Sequence, residues 1–156
     1  MLVEDVITRL EAEIDVLTKR VKGALDLSEL MRQKALPNYT PAAFVVHAGL
    51  APAGGADASE SAFLQLVDEL VSIVLVLRSA ADVTGAKVQP QLHALVWRVI
   101  YALSGWSPDL VEDEADDGSD PVGVFTLRRG CVTGLDAGTV FYQLDFAISQ
   151  QVRVLS

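Results

Sequence analysis

The sequence predicts an α+β fold, a β-sheet accompanied by two long helices, and three features of the 156-residue chain predict it. Apolar residues near the N-terminus recur at steps of three and four, the mark of one helical face. The run from Phe63 to Arg78 becomes β-branched and apolar on both faces in its second half, as a central strand does. The chain closes on segments that alternate apolar with mixed residues, the period of a strand.

The first helix is read from Val3, Val6, Ile7, Leu10, Ile14, Leu17 and Val21, with Glu4, Asp5, Arg9, Glu11, Glu13, Lys19 and Arg20 on its other face. Acids lead and bases follow, which suits the helix dipole, and Gly23 supplies a stop. From Val3 to Lys22 such a helix spans roughly 30 Å. The same spacing also allows a short coiled-coil seam, for which about three heptads is the lower limit. Asp26 and Glu29 have capping-box spacing and start a shorter helix that runs to about Lys34. Pro37 and Pro41 fence a turn, and Ala42 to His47 reads as a strand. Gly49 to Ser59 reads as a flexible connection within one domain, because neither flank is large enough to fold alone.

Phe63 to Arg78 leaves its first half open. It is either extended or helical, since Phe63, Leu66, Val67, Leu70 and Val71 sit at helical spacing. One continuous strand would span about 50 Å, beyond the usual length, and implies a bend, a bulge or an overhanging ribbon. Asp82 to Gly85 is a turn. Val88 to Leu103 is the second long helix, apolar on Leu92, Leu95, Val96, Val99, Ile100 and Leu103. Its first turn holds Pro90, where proline is tolerated, and Ser104-Gly105 ends it. Val122 to Arg128 and Thr139 to Ile148 are strands that can pair as a hairpin, with Gly130, Gly134 and Gly138 in a long or bulged loop. Val140, Tyr142, Leu144, Phe146 and Ile148 form the buried face of the last strand. Ile73, Leu75, Val99 and Ile100 are expected in the core where the long strand meets the second helix.

Composition narrows the function classes. The chain is 51% hydrophobic and 21% charged, the profile of a globular protein, and its length fits a single domain, 1–156. Cys131 is the only cysteine, so no internal disulfide forms. The acidic N-terminus does not fit a signal peptide, and no stretch approaches the roughly 18 apolar residues of a membrane span. Synthesis in the cytoplasm without membrane association is therefore expected. The net charge is −9, but the loop at 107–121 holds seven acids (Asp109, Glu112, Asp113, Glu114, Asp116, Asp117 and Asp120) and no Lys or Arg, and setting those acids aside leaves the rest at −2. The 12 Lys and Arg residues are scattered along the sequence, whereas phosphate binding needs them clustered, so no specific nucleic-acid binding is expected.

The search for chemistry gives structural readings. His47 and His93 have no second ligand at metal spacing. Cys131 lies near Arg128 and Arg129, which can lower a thiol pKa, but a catalytic thiol also needs a positioned base. The acidic loop lacks the spacing of a calcium-binding loop and reads as solvated. Trp97 and Trp106 flank the end of the second long helix. Trp106 is expected to pack that end onto the sheet, with a partner contact as the alternative. No catalytic residue, cofactor or metal is assigned.

The strand VLVLRS that contains Arg78, the helix end ALSGWSP around Gly105, Trp106 and Pro108, and the closing YQLDFAI resemble the tail terminator family of long-tailed phages and prophages. The resemblance covers nearly the whole chain, with the 49–59 connection and the 109–120 loop as variable insertions. It implies an antiparallel (mixed) β-sheet with two long helices packed on one face, and it favours the single long strand. The function it implies, over the alternatives of another head–tail connector or minor tail protein or a non-viral cytosolic protein-binding module, is that of a structural virion protein, not an enzyme. Such proteins form a ring, typically of six subunits, that caps the tail tube, stops its polymerisation and presents a surface for joining the head. The implied partners are copies of the chain, the tail tube protein and a head completion or connector protein, and the implied location is the virion tail. The subunit contact is then expected on Gln65, Asp68 and Glu69, with Arg128 and Arg129 as opposite charges on a neighbour and Trp106 as a further contact.

Overall fold

The computed structural model describes residues 2–37, 39–54, 57–58, 62–78, 88–108, 119–121, 123–136 and 138–155. The elements run in order: helix α1 (Leu2–Glu13), strand β1 (Val21–Gly23), helix α2 (Ala24–Arg32), strands β2 (Ala42–Pro52), β3 (Asp57–Ala58) and β4 (Ala62–Arg78), helix α3 (Val88–Leu103), and strands β5 (Ser119–Pro121), β6 (Thr126–Asp136) and β7 (Thr139–Leu155). The strands form one seven-stranded sheet along the path β1-β2-β4-β7-β5, with β3 also on β4 and β6 also on β7. The sheet is mixed, because β1 runs parallel to β2 while the other pairings are antiparallel.

The spine is the β4–β7 ladder. It pairs Ala62 with Leu155 at one end and Arg78 with Thr139 at the other, without a register shift. Each strand has 17 residues, about 55 Å of extended chain. The helical spacing in the first half of β4 is overridden because β7 lies on one side and β2 and β3 on the other, so the backbone groups are paired across strands.

Alternation divides the side chains between two faces. One face carries Ala43, Val45, Val71, Ile73, Leu75, Leu144 and Phe146, which share a core with Val6 and Leu10 of α1 and with Leu92, Leu95 and Val99 of α3. Ile100 packs at the margin of that core. The other face carries Ala42, Phe44 and Val76, against which Leu27 and Leu30 of α2 pack. Of the expected arrangement, α1 and α3 share one face of the sheet, while the short α2 covers part of the opposite face.

The first helix is also shorter than its periodicity suggests. It ends at Glu13; Ile14 is extended (φ −124°, ψ 105°) and Asp15–Leu17 form a 3-10 turn. Lys19 then takes a left-handed conformation (φ 59°) before β1. Ile14, Leu17 and Val21 are nonetheless buried. The apolar spacing reported burial correctly, but a turn and a strand deliver these residues to the core, so neither the long helix nor the coiled-coil seam is present. Asp15 contributes to the break, because its Oδ1 accepts the Val16 N–H at 2.9 Å, a local bond that competes with the helix. Helix α2 starts two residues before the expected capping box, with Gly23 as N-cap and no side-chain cap bond. Glu29 takes hydrogen bonds from Arg32 (2.6 Å) and Gln33 (2.8 Å).

Three loops need revision. β2 continues to Pro52 through a bulge between His47 and Gly49, and β3 occupies 57–58, so much of the 49–59 connection is strand. Gly130 and Gly134 lie inside β6, which bulges between Leu127 and Arg129 and again between Val132 and Gly134. The hairpin turns at Gly138 (φ 84°). Gly130 is closely packed, since a Cβ there would stand 3.0 Å from both the Tyr142 hydroxyl and a Leu144 methyl and these side-chain ends would have to give way. β5 occupies the end of the acidic stretch, while residues 109–118 and the Asp82–Gly85 turn lie outside the described residues.

Candidate assembly interface

The core occupies one half of the long ladder. Residues 71–77 of β4 are buried, apart from a half-buried Val74, whereas 62–70 run past the helices and are half-buried or exposed. This overhanging ribbon is apolar on both faces, with Phe63, Val67 and Val152 on one and Leu64, Leu66 and Leu70 on the other. Leu50 and Val154 are 66% and 55% exposed at its margins.

The polar groups of the ribbon are tied within the chain. Asp68 accepts from Arg128 Nη2 at 3.0 Å and from Ser149 Oγ at 2.8 Å. Glu69, on the opposite face, lies 3.0 Å from His47 Nε2 and accepts from Gln150 Nε2 at 3.0 Å. The Gln150 Oε1 is buried without a partner among the described residues. Where the ribbon joins the body, Ser72 Oγ donates to Asp145 at 2.6 Å, and Asp145 also accepts from Gln143 at 2.9 Å.

Each residue singled out in the sequence can now be placed. Asp68 and Arg128, expected on opposite sides of a subunit contact, also pair with each other inside one chain, across β7. Arg129 is exposed on β6 and makes no ion pair among the described residues. Gln65 is half-buried in the ribbon opposite Val152. Trp106 takes the packing role. Its ring stacks on Phe125 (5.8 Å between centroids, 12° between planes), and the Arg9 guanidinium lies 5.3 Å from the ring centre. Arg9 Nε also donates to the Ala102 carbonyl at 3.0 Å, which ties α1 to the C-terminal end of α3. The local cause is Gly105, whose φ of 77° stops α3. The Gly105 N–H then donates to Phe125 O (2.9 Å) and the Phe125 N–H to Trp106 O (2.8 Å).

Two surfaces escaped the sequence reading. His93, Trp97 and Tyr101 stand one turn apart along the outside of α3, with ring centroids 6.4 and 6.0 Å apart. His93 and Trp97 border a groove of about 400 Å³ between α3 and β6, lined also by Val96, Leu127, Val132 and Tyr142. The four-residue spacing of the three rings was the available signal. The second groove, about 340 Å³, lies at the β1–α2 edge, where Lys19, Arg20 and Lys22 surround Tyr39 and Phe44. The Arg20 guanidinium lies 5.7 Å from the Tyr39 ring centre and donates to Thr40 O at 3.1 Å. Asp26 and Glu29 line the same groove. Arg32 and Gln33 hold the Glu29 carboxyl below the usual carboxylate range. The three cations are neighbours in sequence, and the fold brings Tyr39 and Phe44 to them.

His47 is engaged with Glu69, His93 neighbours Trp97, and Cys131 is half-buried on β6. Among the described residues no three metal-ligating side chains converge, and no helix is long and apolar enough to cross a membrane.

The geometry defines a class: an α+β protein built on one mixed sheet whose central ladder outruns its core. The same fold occurs in a solved structure titled "Virion of native gene transfer agent (GTA) particle", with a TM-score of 0.54 over 94% of this chain and 91% of that one, at 15% identity. No curated protein matches the chain in sequence. The family model described as phage tail terminator protein matches residues 1–154, and the chain belongs to that family of phage tail structural proteins.

Proposed function

We propose that the chain closes head to tail into a ring of six that caps the tail tube, ends its polymerisation and offers the surface on which the head is joined. Its partners are then further copies of itself, the tube protein and a head completion or connector protein. The observation that carries this reading is a sheet with two unlike open edges and a ribbon that overhangs the core. Among the described residues β6 pairs only with β7, and β2 beyond residue 45 pairs only with β4. Open edges present unpaired backbone groups that a neighbour's strand can take up. Unlike edges make a heterologous contact, which gives a ring when the rotation closes and a filament when it does not. A cap requires closure.

Gln65 and Arg129 remain the polar residues best placed for that contact. Asp68, Glu69 and Arg128 act from within, by holding the ribbon in shape. Exposed ion pairs contribute only about 0–1 kcal/mol each, so backbone pairing and the apolar ribbon dominate. Light scattering of the purified protein across a concentration series, alone and with tube protein, tests the reading, with negative-stain imaging of tube ends. Ring-sized mass and capped ends are expected. A chain that stays monomeric in both series and leaves tube ends bare overturns it.

A further inference from the structure

We infer that the groove at the β1–α2 edge is the receptor for the acidic segment 109–120 of a neighbouring copy, an inference that rests on the head-to-tail reading above. The groove combines a cationic rim, Lys19, Arg20 and Lys22, with an apolar floor that includes Tyr39 and Phe44. The segment has the matching composition. After Asp109 it carries Leu110 and Val111, continues through acids to Asp120, and contains no Lys or Arg. An apolar foot followed by carboxylates suits a greasy floor inside a positive rim.

The sheet order decides which copy is engaged. β1 and β5 are the terminal strands of the path, four inter-strand steps apart, which is about 19 Å. Along the strands, β1 lies level with residues 142–144 of β7, whereas β5 pairs at 150–152. That adds about 27 Å, so the groove lies roughly 33 Å from β5. The other end of the segment is also held on the far edge, where Trp106 stacks on Phe125 just before β6. Ten residues, 109–118, join these two anchors. Going out and back, they reach at most about 20 Å. The segment cannot enter its own groove, but a neighbour's lies open to it. The acidic edge of one copy facing the basic edge of the next is a heterologous contact, the kind a ring repeats.

A nucleic acid is the other anionic ligand to consider. It fits less well, because a phosphate backbone gains nothing from an apolar floor; Asp26 and Glu29, which also line the groove, oppose either anion.

The test uses the full chain and a labelled peptide of residues 109–121. The peptide should bind wild type saturably at 50 mM salt and about tenfold more weakly at 300 mM, as screening shortens the reach of the charges. Lys19→Glu with Lys22→Glu should weaken peptide binding at least tenfold, and Lys19→Gln with Lys22→Gln by less. Far-UV circular dichroism checks that both variants are folded. In light scattering, Lys19→Glu/Lys22→Glu and Glu112→Lys/Asp113→Lys should each move self-association to higher concentration, and the chain carrying all four changes should recover it. A peptide that ignores the folded charge variants overturns the inference even if wild type forms rings. A peptide that binds as expected while wild type never assembles overturns the ring and keeps the groove's ligand. A 20-base-pair duplex that displaces the peptide at matched charge assigns the groove to nucleic acid and overturns the inference.

Discussion

The two halves of β4 share one strand and one unbroken register with β7, yet they do different work. Residues 71–77 pack beneath α1 and α3, and Ile73 and Leu75 are fully buried. Residues 62–70 continue the same ladder with no helix over them, and Leu66 is 39% exposed. Both halves are rich in apolar side chains. In the first the apolar surface is satisfied by the chain itself, while in the second much of it is left for something else to cover. The comparison shows that strand pairing and burial are separable. The ladder with β7 fixes the shape of the ribbon, and the helices decide only how much of it becomes core.

The largest expected effect lies in the body. Leu75→Ala removes a fully buried side chain between the sheet and α3 and should cost about 2–5 kcal/mol in a chemical denaturation experiment. A near-neutral result would mean that the body is not packed as described, and the contrast between the halves would dissolve.

An intermediate effect should appear in the ribbon, and in a different measurement. Leu66→Gln together with Val154→Gln changes one exposed apolar residue on each face. Because neither is buried, the unfolding free energy should move by no more than about 1 kcal/mol. Self-association, followed by light scattering, should shift to at least about tenfold higher concentration, equivalent to about 1.4 kcal/mol. If folding suffers as much as it does in Leu75→Ala, the ribbon is core after all.

The same contrast explains what could be read from the sequence. The body was legible because its residues obey one period at a time. Val140, Tyr142, Leu144, Phe146 and Ile148 alternate, and Leu92, Leu95, Val96 and Val99 step as a helix does. Ile14, Leu17 and Val21 were legible as core but not as conformation, since a side-chain bond from Asp15 and a left-handed Lys19 break the helix without disturbing the spacing. Gly130 was mistaken for a loop glycine. It lies inside a strand, close against Tyr142 and Leu144, residues more than ten positions away. The surface was hardest to read. The Asp68–Arg128 pair spans 60 positions and has no local signature, while Lys19, Arg20 and Lys22 are neighbours in sequence that become a groove only with Tyr39 and Phe44.

The smallest effect concerns the charge pair that joins the turn after α1 to α3. Arg98 Nη2 donates to Asp15 Oδ1 at 2.9 Å, on the surface of the body. The hydrogen bond from Arg98, helped by the Val16 N–H and the Arg98 charge, holds the Asp15 carboxyl below its ordinary value of 3.8. A carboxyl with a lowered folded-state pKa binds its proton more readily in the unfolded chain. Its contribution is therefore complete above the unfolded value and disappears as the pH falls through the folded one. Arg98→Met should consequently lower the thermal midpoint slightly at pH 7, and the gap from wild type should close as the pH falls through the lowered folded-state value of Asp15. The pair is solvent-exposed, so added salt should also narrow the gap at pH 7. Thermal melts of the two proteins at pH 7 and pH 2.5, each at low and high salt, give the comparison. A gap that persists in acid would show that Arg98 supports the body through the packing of its aliphatic stem, and that the contact between the turn and α3 is held together without the charge.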